Sequence, residues 1–270
     1  MLPKLLALDL DGTLLTSRHQ ISERSRRAIQ RLMAQGTRVA LCTGRPPRLM
    51  RNYASELAVT VPAIVYNGAS LYDAALEQTT HLRQLSRERA LAIIARARQA
   101  HPAVMIGLET SHGWYLDSDL YHARPSQTEP DGVGDVSSFI RGDVLKILLR
   151  HPRFSAAELA GALDDMGANV TWSSRNLLEV MHPQANKGLA LERLAGNLGI
   201  ASREVVAFGD QQNDVDMLRW AGVGIAMGNA TADARAAADH ITASNDAEGV
   251  ALVLEGWLRA AGAPSEQNRD

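Results

Sequence analysis

Asp9-Leu10-Asp11-Gly12-Thr13 places two carboxylates two residues apart, directly after the apolar run Leu5 to Leu8. In extended backbone, residues i and i+2 share a side, so both acids could face one pocket. Gly12 permits a tight turn, and free backbone N–H groups in such a turn receive phosphate. The same residues also read as an ordinary Asp-Gly turn or helix cap. Thr43-Gly44-Arg45 follows a second apolar run. A hydroxyl and backbone N–H groups at a helix start hold phosphate, and equally cap a helix. Asn186-Lys187-Gly188 opens a further candidate helix. A lysine there opposes the helix dipole, which an anionic partner would explain and a solvated side chain would tolerate. Gly209-Asp210-Gln211-Gln212-Asn213-Asp214 again follows an apolar run. Asp210 and Asp214 are hard oxygen ligands suited to Mg²⁺, or two solvated loop acids.

Each segment sits where a strand ends or a helix begins, and parallel strands bring such ends to one edge of a sheet. Four carboxylates would then crowd together. Two like charges ~4 Å apart repel by about 4 kcal/mol at an effective dielectric near ~20. Such a cluster requires a divalent cation and a lysine, or protonation of some acids. Lys187 and Mg²⁺ would supply the compensation.

The elements that must position these residues follow from hydrophobic periodicity. Residues 4–10, Arg38 to Cys42 and Val61 to Tyr66 read as buried strands. Between them lie two helices. The first is capped by Ser22, carries Ala28, Ile29, Leu32 and Met33 on its apolar face, and stops at Gly36; the second runs from Pro46 to Leu57. Short links between alternating strands and helices predict parallel strands with right-handed crossovers. From about residue 81 the rhythm changes. A helix capped by Ser86, a hairpin Val104–Glu109 and Trp114–Asp117, a strand Val144–Arg150, a helix from Ser155 to Gly167, and a hairpin Asn169–Ser173 and Leu177–Met181 form an α+β unit. Residues 122–142, rich in Pro and Gly, read as a flap or hide a short helix. From Lys187 the alternation returns, and the tail from Gly262 is polar and expected to fray. The architecture is therefore one α/β domain from residues 1–80 and 186–270, with an α+β domain inserted at 81–185.

The 270 residues are 46% hydrophobic and 21% charged, with a formal net charge of −2 and no dense basic run. Nucleic acid is not an expected partner. No uncharged stretch is long and continuous enough to span a bilayer, and the N-terminus does not read as an export signal, so a cytoplasmic protein is expected. The single cysteine, Cys42, lies in a strand and is expected to be buried. The eight histidines lack zinc-type spacing. Trp114, Trp172, Trp220 and Trp257 are expected to pack, and Arg24, Arg26, Arg27 and Arg31 to form a solvated helix face.

With these motifs in this order, the sequence resembles the haloacid dehalogenase superfamily of phosphatases, in particular Cof-type members with a large inserted α+β (type IIB) cap. The resemblance spans nearly the whole chain. It adds Asn67-Gly68-Ala69 and Met227-Gly228-Asn229-Ala230 to the four segments above. It implies a Rossmann-like core in which Asp9 is the nucleophile and Asp11 protonates the leaving oxygen, then activates water. Thr43 and Lys187 would hold the phosphoryl oxygens, with Leu10, Gly44 and Asn213 completing the substrate contacts. Mg²⁺ would be bound by the side chains of Asp9 and Asp210 and the backbone carbonyl of Asp11, with Asp214 close behind. The implied substrate is a small phosphate ester, selected by the inserted cap; oligomeric state is open. Gln211 stands where a glycine is usual, and Glu248-Gly249 replaces a usual Asp-Gly pair. A phosphosugar mutase and a non-catalytic sensor of phosphorylated ligands remain alternatives, the latter disfavoured by Asp9 and Asp11.

Overall fold

The computed structural model describes residues 2–117 and 129–262. Its chain divides into two compact units, Met1–Thr80 with Lys187–Asp270, and His81–Asn186.

The first unit begins with β1 (Leu5–Leu8), every residue of which is buried. Helix α1 (Glu23–Ala34) starts at Ser22, whose side chain accepts the Ser25 N–H at 3.0 Å, and buries Ala28, Ile29 and Leu32. Its carbonyls are then closed by Gln35 and Gly36, the latter at φ +91°, a conformation cheap only for glycine. Next come β2 (Arg38–Leu41), α2 (Pro47–Leu57), β3 (Ala63–Val65), β4 (Ser70–Asp73) and β5 (Gln78–His81).

The second unit holds α3 (Arg87–Ala100), β6 (Met105–Thr110), β7 (Gly113–Leu116), β8 (Gly132–Val133), β9 (Val144–Arg150), α4 (Ala156–Gly161), β10 (Asn169–Ser174) and β11 (Leu177–Met181). The strands form one sheet in the order β10-β11-β9-β6-β7-β8, antiparallel except for the last pair. Alternate residues Ile106, Leu108, Ile147, Leu149, Leu178 and Val180 face one side, where Ile93, Ile94, Ala97, Leu159 and Leu163 of the helical segments meet them. Burial of each such side chain contributes about 1.5–3 kcal/mol.

The chain then completes the first unit with α5 (Lys187–Asn197), β12 (Val205–Gly209), α6 (Val215–Trp220), β13 (Val223–Ala226), α7 (Ala232–Ala237), β14 (His240–Ile241) and α8 (Gly249–Gly262). Its main sheet is parallel, in the order β14-β13-β12-β1-β2. Leu8 lies between Phe208 and Leu41, so the residues that follow each of these strands leave the sheet at one edge.

Several expectations are revised. β3 is not a full member of the parallel sheet: a single bridge joins Cys42 to Ile64, and β3 instead pairs antiparallel with β4. The cause is the reversal at Tyr66 and Asn67, consecutive non-glycine residues at φ +51° and +52°, which turns the chain back at once. The β4–β5 hairpin had no alternating pattern to announce it. Residues 122–142, read as a flap or as hiding a short helix, contain β8 and a 3₁₀ turn at Val136–Phe139, while residues 122–128 lie outside the described ones, as does the tail beyond residue 262. The capping box at Ser155 and Glu158 forms, but α4 ends at Gly161, before Gly167. Three arginines of α1 are paired while staying partly exposed: Arg24 bridges to Glu255 at 2.8 Å and Glu248 at 3.0 Å, and Arg26 and Arg27 hold Glu23. Trp114 is buried, and Trp257 meets Phe208 edge-on at 6.3 Å. No helix among the described residues is long and apolar enough to cross a membrane.

Candidate active site

Asp9 leaves β1 at the active edge, its N–H bonded to Phe208 O at 3.1 Å. Only 5% of the residue is exposed. Lys187, at the first position of α5, is fully buried, which excludes the solvated reading of this lysine. Its ammonium donates to Asp9 Oδ1 at 2.7 Å and to Asp214 Oδ1 at 2.6 Å. Asp214 Oδ2 in turn accepts the backbone N–H groups of Asp210 and Gln211, each at 2.9 Å. The acids after β12 are thus not solvated: they fold their own loop around a buried carboxylate. Asp210 is held by Thr13 Oγ1 at 2.8 Å on Oδ1 and by Gln211 Nε2 at 2.9 Å on Oδ2. Gly12 is required here, because a Cβ on it would lie 2.3 Å from Asp210 Oδ2.

Asp9, Asp210 and Asp214 each present an oxygen within 4.8 Å of the others. Burial pushes the Asp9 carboxyl well above the usual carboxylate range; Lys187 opposes this, and Asp214 and Asp210 reinforce it. Burial, then Asp214, raises Asp210 to about 6. Burial acts to lower Lys187, but Asp214 and Asp9 outweigh it, so the lysine stays charged. Three carboxylates against one ammonium leave two negative charges when all are ionised. A divalent cation supplies that balance, and an all-oxygen donor set suits a hard one. The residues present therefore fit a metal ion.

Asp11 does not join this group. Its half-exposed carboxylate is gripped by the Arg45 guanidinium, Nε to Oδ2 at 2.6 Å and Nη2 to Oδ1 at 2.5 Å, with His19 Nδ1 3.5 Å away. Burial acts to raise Asp11, but this fork outweighs it and holds the carboxyl below its usual range. Arg45 is itself steadied by Tyr53, whose ring centroid is 5.4 Å from the guanidinium carbon.

Thr43 is buried and caps no helix; its hydroxyl accepts the Arg45 N–H at 3.1 Å, while α2 begins beyond Pro46. Gly44 lies against Asn67, where a Cβ would come within 2.8 Å of Asn67 Oδ1. That same oxygen accepts Asn213 Nδ2 at 2.9 Å. Leu10 is fully buried, its carbonyl closing the turn by accepting Thr13 and Leu15 N–H. Cys42 is buried, and burial pushes its thiol up and out of reach as a nucleophile. Sequence reasoning gave no role to Thr13, to the Arg45 side chain or to Asn67. Their presence in the motifs was the available signal, but not the partners they find.

A family described as haloacid dehalogenase-like hydrolase matches residues 6–254. The chain is 31% identical over 265 residues to the 5-amino-6-(5-phospho-D-ribitylamino)uracil phosphatase YitU of Bacillus subtilis, covering 95% of this chain and 98% of that one. It is 31% identical over 263 residues to the HMP-PP phosphatase of Cronobacter sakazakii, covering 94% and 96%. Among solved structures, a haloacid dehalogenase-like hydrolase from Bacteroides thetaiotaomicron is similar with a TM-score of 0.77 at 29% identity, over 94% of this chain and 99% of that chain.

Proposed function

The chain belongs to the haloacid dehalogenase-like hydrolase family, and from that premise we propose that it is a phosphatase that passes the phosphoryl group of a small phosphate monoester to Asp9 and then to water. The supporting observation is the buried carboxylate of Asp9, held by Lys187 at the sheet edge where Asp210 and Asp214 converge. A nucleophile so enclosed is oriented before substrate arrives, which removes part of the entropic barrier.

In the first step an Asp9 oxygen forms a bond to phosphorus while the ester P–O bond breaks. The electron pair leaves with the ester oxygen, which takes a proton from Asp11. In the second step Asp11, now a carboxylate, takes a proton from water. The water oxygen bonds to phosphorus, the P–O bond to Asp9 breaks, and inorganic phosphate leaves. Arg45 holds Asp11 ionised at rest, the state the second step uses. The proton for the first step is taken up as the dianionic ester enters, since nearby negative charge favours the protonated acid. Lys187 and Thr43 hold phosphoryl oxygens, with Leu10, Gly44 and Asn213 around them, and Lys187 stabilises the charge that spreads over the transferring group.

Asp9 and Asp210 would hold Mg²⁺, with the backbone carbonyl of Asp11 as a third ligand and Asp214 orienting the group from behind. When bound, the cation offsets phosphoryl negative charge. The inserted unit, His81–Asn186, selects the substrate, because every residue assigned above lies outside it.

The deciding experiment is phosphate release from a panel of phosphorylated metabolites with Mg²⁺, for wild type and Asp9→Asn. Turnover by wild type and none by the variant, with unchanged circular dichroism, is expected. Residual turnover in pure Asp9→Asn would remove Asp9 from this role, and transfer to an acceptor without phosphate release would make the enzyme a mutase.

A further inference from the structure

Gln211 takes no part in phosphoryl transfer, yet its side-chain amide lies on Asp210. Nε2 donates to Oδ2 at 2.9 Å, while Thr13 Oγ1 donates to Oδ1 at 2.8 Å. Oδ2 also accepts Asn229 Nδ2 at 3.5 Å, so it carries two amide donors, of which Gln211 is the nearer, while Oδ1 has the Thr13 hydroxyl alone. Gly12 lies close by, since a Cβ on it would come within 2.3 Å of Oδ2. Gln211 is itself anchored, its backbone N–H bonded to Asp214 Oδ2 at 2.9 Å.

A carboxylate oxygen accepts at about two positions, so Oδ1, with one donor, keeps room for a cation, whereas the two amides occupy the positions of Oδ2. What the two amides oppose is ligation through Oδ2 as well. To chelate one ion through both oxygens, a carboxylate must turn its whole O–C–O edge towards that ion. Asp210 cannot bring Oδ2 into such a chelate without giving up an amide, and the 2.9 Å bond from Gln211 is the shorter of the two. This distinction separates two cations. Mg²⁺ takes near-octahedral ligands at short distance and is satisfied by single-oxygen carboxylates, whereas Ca²⁺ takes more and longer bonds and accepts two-oxygen chelation.

Resting on the metal reading given above, we propose that Gln211 is a positioning residue that restrains Asp210 to one-oxygen ligation and thereby sharpens the preference for Mg²⁺ over Ca²⁺. Alanine or glycine at this position has no donor to supply the restraint. The φ and ψ of Gln211, −112° and 175°, are open to either residue, so replacement removes the amide without imposing backbone strain.

The test is calorimetric titration of Mg²⁺ and of Ca²⁺ into the metal-free full-length protein, for wild type, Gln211→Ala and Gln211→Gly. The ratio of the two dissociation constants is expected to narrow about tenfold in both variants, the scale on which outer partners tune metal sites, with Ca²⁺ gaining affinity relative to Mg²⁺. Agreement between the two variants assigns the effect to the lost amide rather than to glycine's backbone freedom. An unchanged ratio in Gln211→Ala, with both cations still binding, overturns the role of Gln211 and leaves the metal reading standing. Wild type that binds neither cation overturns both.

Discussion

At the residue scale, the site is governed by a shortage of positive charge. Lys187 is the buried cation between Asp9 and Asp214. Replacing it with methionine leaves two buried carboxylates without their partner, and breaking such a pair costs about 3–5 kcal/mol. Urea unfolding of metal-free Lys187→Met should show that loss, reduced when Mg²⁺ is added. The acids also predict a pH dependence. The folded state raises Asp210 from its ordinary 3.8 to about 6, and Asp9 is raised as well. Between those values these two acids bind more protons in the folded protein than in the unfolded chain, so their contribution to stability falls as pH rises. The melting temperature of metal-free wild type, taken relative to Asp210→Asn, should therefore decline from about pH 4 to about pH 6.5. Saturating Mg²⁺ should flatten the decline, because the cation competes with protons for these carboxylates. A difference from Asp210→Asn that grows across this window without metal would show that Asp210 is not raised.

At the element scale, close approach of backbones sets the geometry. Helix α5 delivers Lys187, and its next residue, Gly188, packs against α6 so tightly that a Cβ would lie 2.7 Å from the Asp216 carbonyl carbon and oxygen. Gly188→Ala must push the helices apart, an overpacking that costs about 1–3 kcal/mol. The accompanying shift of Lys187 should lower kcat, since displacement of a catalytic group by ~1 Å can cost ~100-fold. Steady-state kinetics beside thermal unfolding checks both; unchanged kcat would mean that the lysine tolerates the shift. The turn after β3 works differently. Tyr66 and Asn67 both adopt positive φ, and Asn67 uses the resulting position to accept the Asn213 amide. Asn67-Gly68-Ala69 entered the sequence reading only through the family resemblance, and the β3–β4–β5 sheet that follows from the turn depended on pairing that no local pattern encodes.

At the scale of the molecule, chemistry and selection are expected to reside in different units. Substitutions within His81–Asn186 should change the ratios of kcat/KM among large substrates, which report differential transition-state binding, and should change acetyl phosphate hydrolysis far less. A carboxylate in that unit as indispensable as Asp9 would end the division. Exhaustive chelation should abolish activity, Mg²⁺ should restore it, and Ca²⁺ should inhibit, as its longer bonds relax the in-line arrangement. Full activity after chelation would remove the cation from the reaction.

The sequence by itself determined which residue types stand at strand ends, which segments alternate as strand and helix, and where helices start. Ser22, Ser86 and Ser155 each cap the helix that follows. These features depend on covalent spacing and periodicity, which act over a few residues. Only the tertiary structure decided which carboxylates meet. Asp9 and Asp11 are two residues apart, yet Asp9 turns to Lys187, 178 residues away, and Asp11 to Arg45. The parallel register that sets Leu8 between Phe208 and Leu41 brings Asp210 to Asp9, and the turn at Gly12 sends Asp11 outwards. Burial then separates the two acids further, raising one and leaving the other to its arginine, because the energy of a charge depends on surroundings that exist only once distant segments have packed.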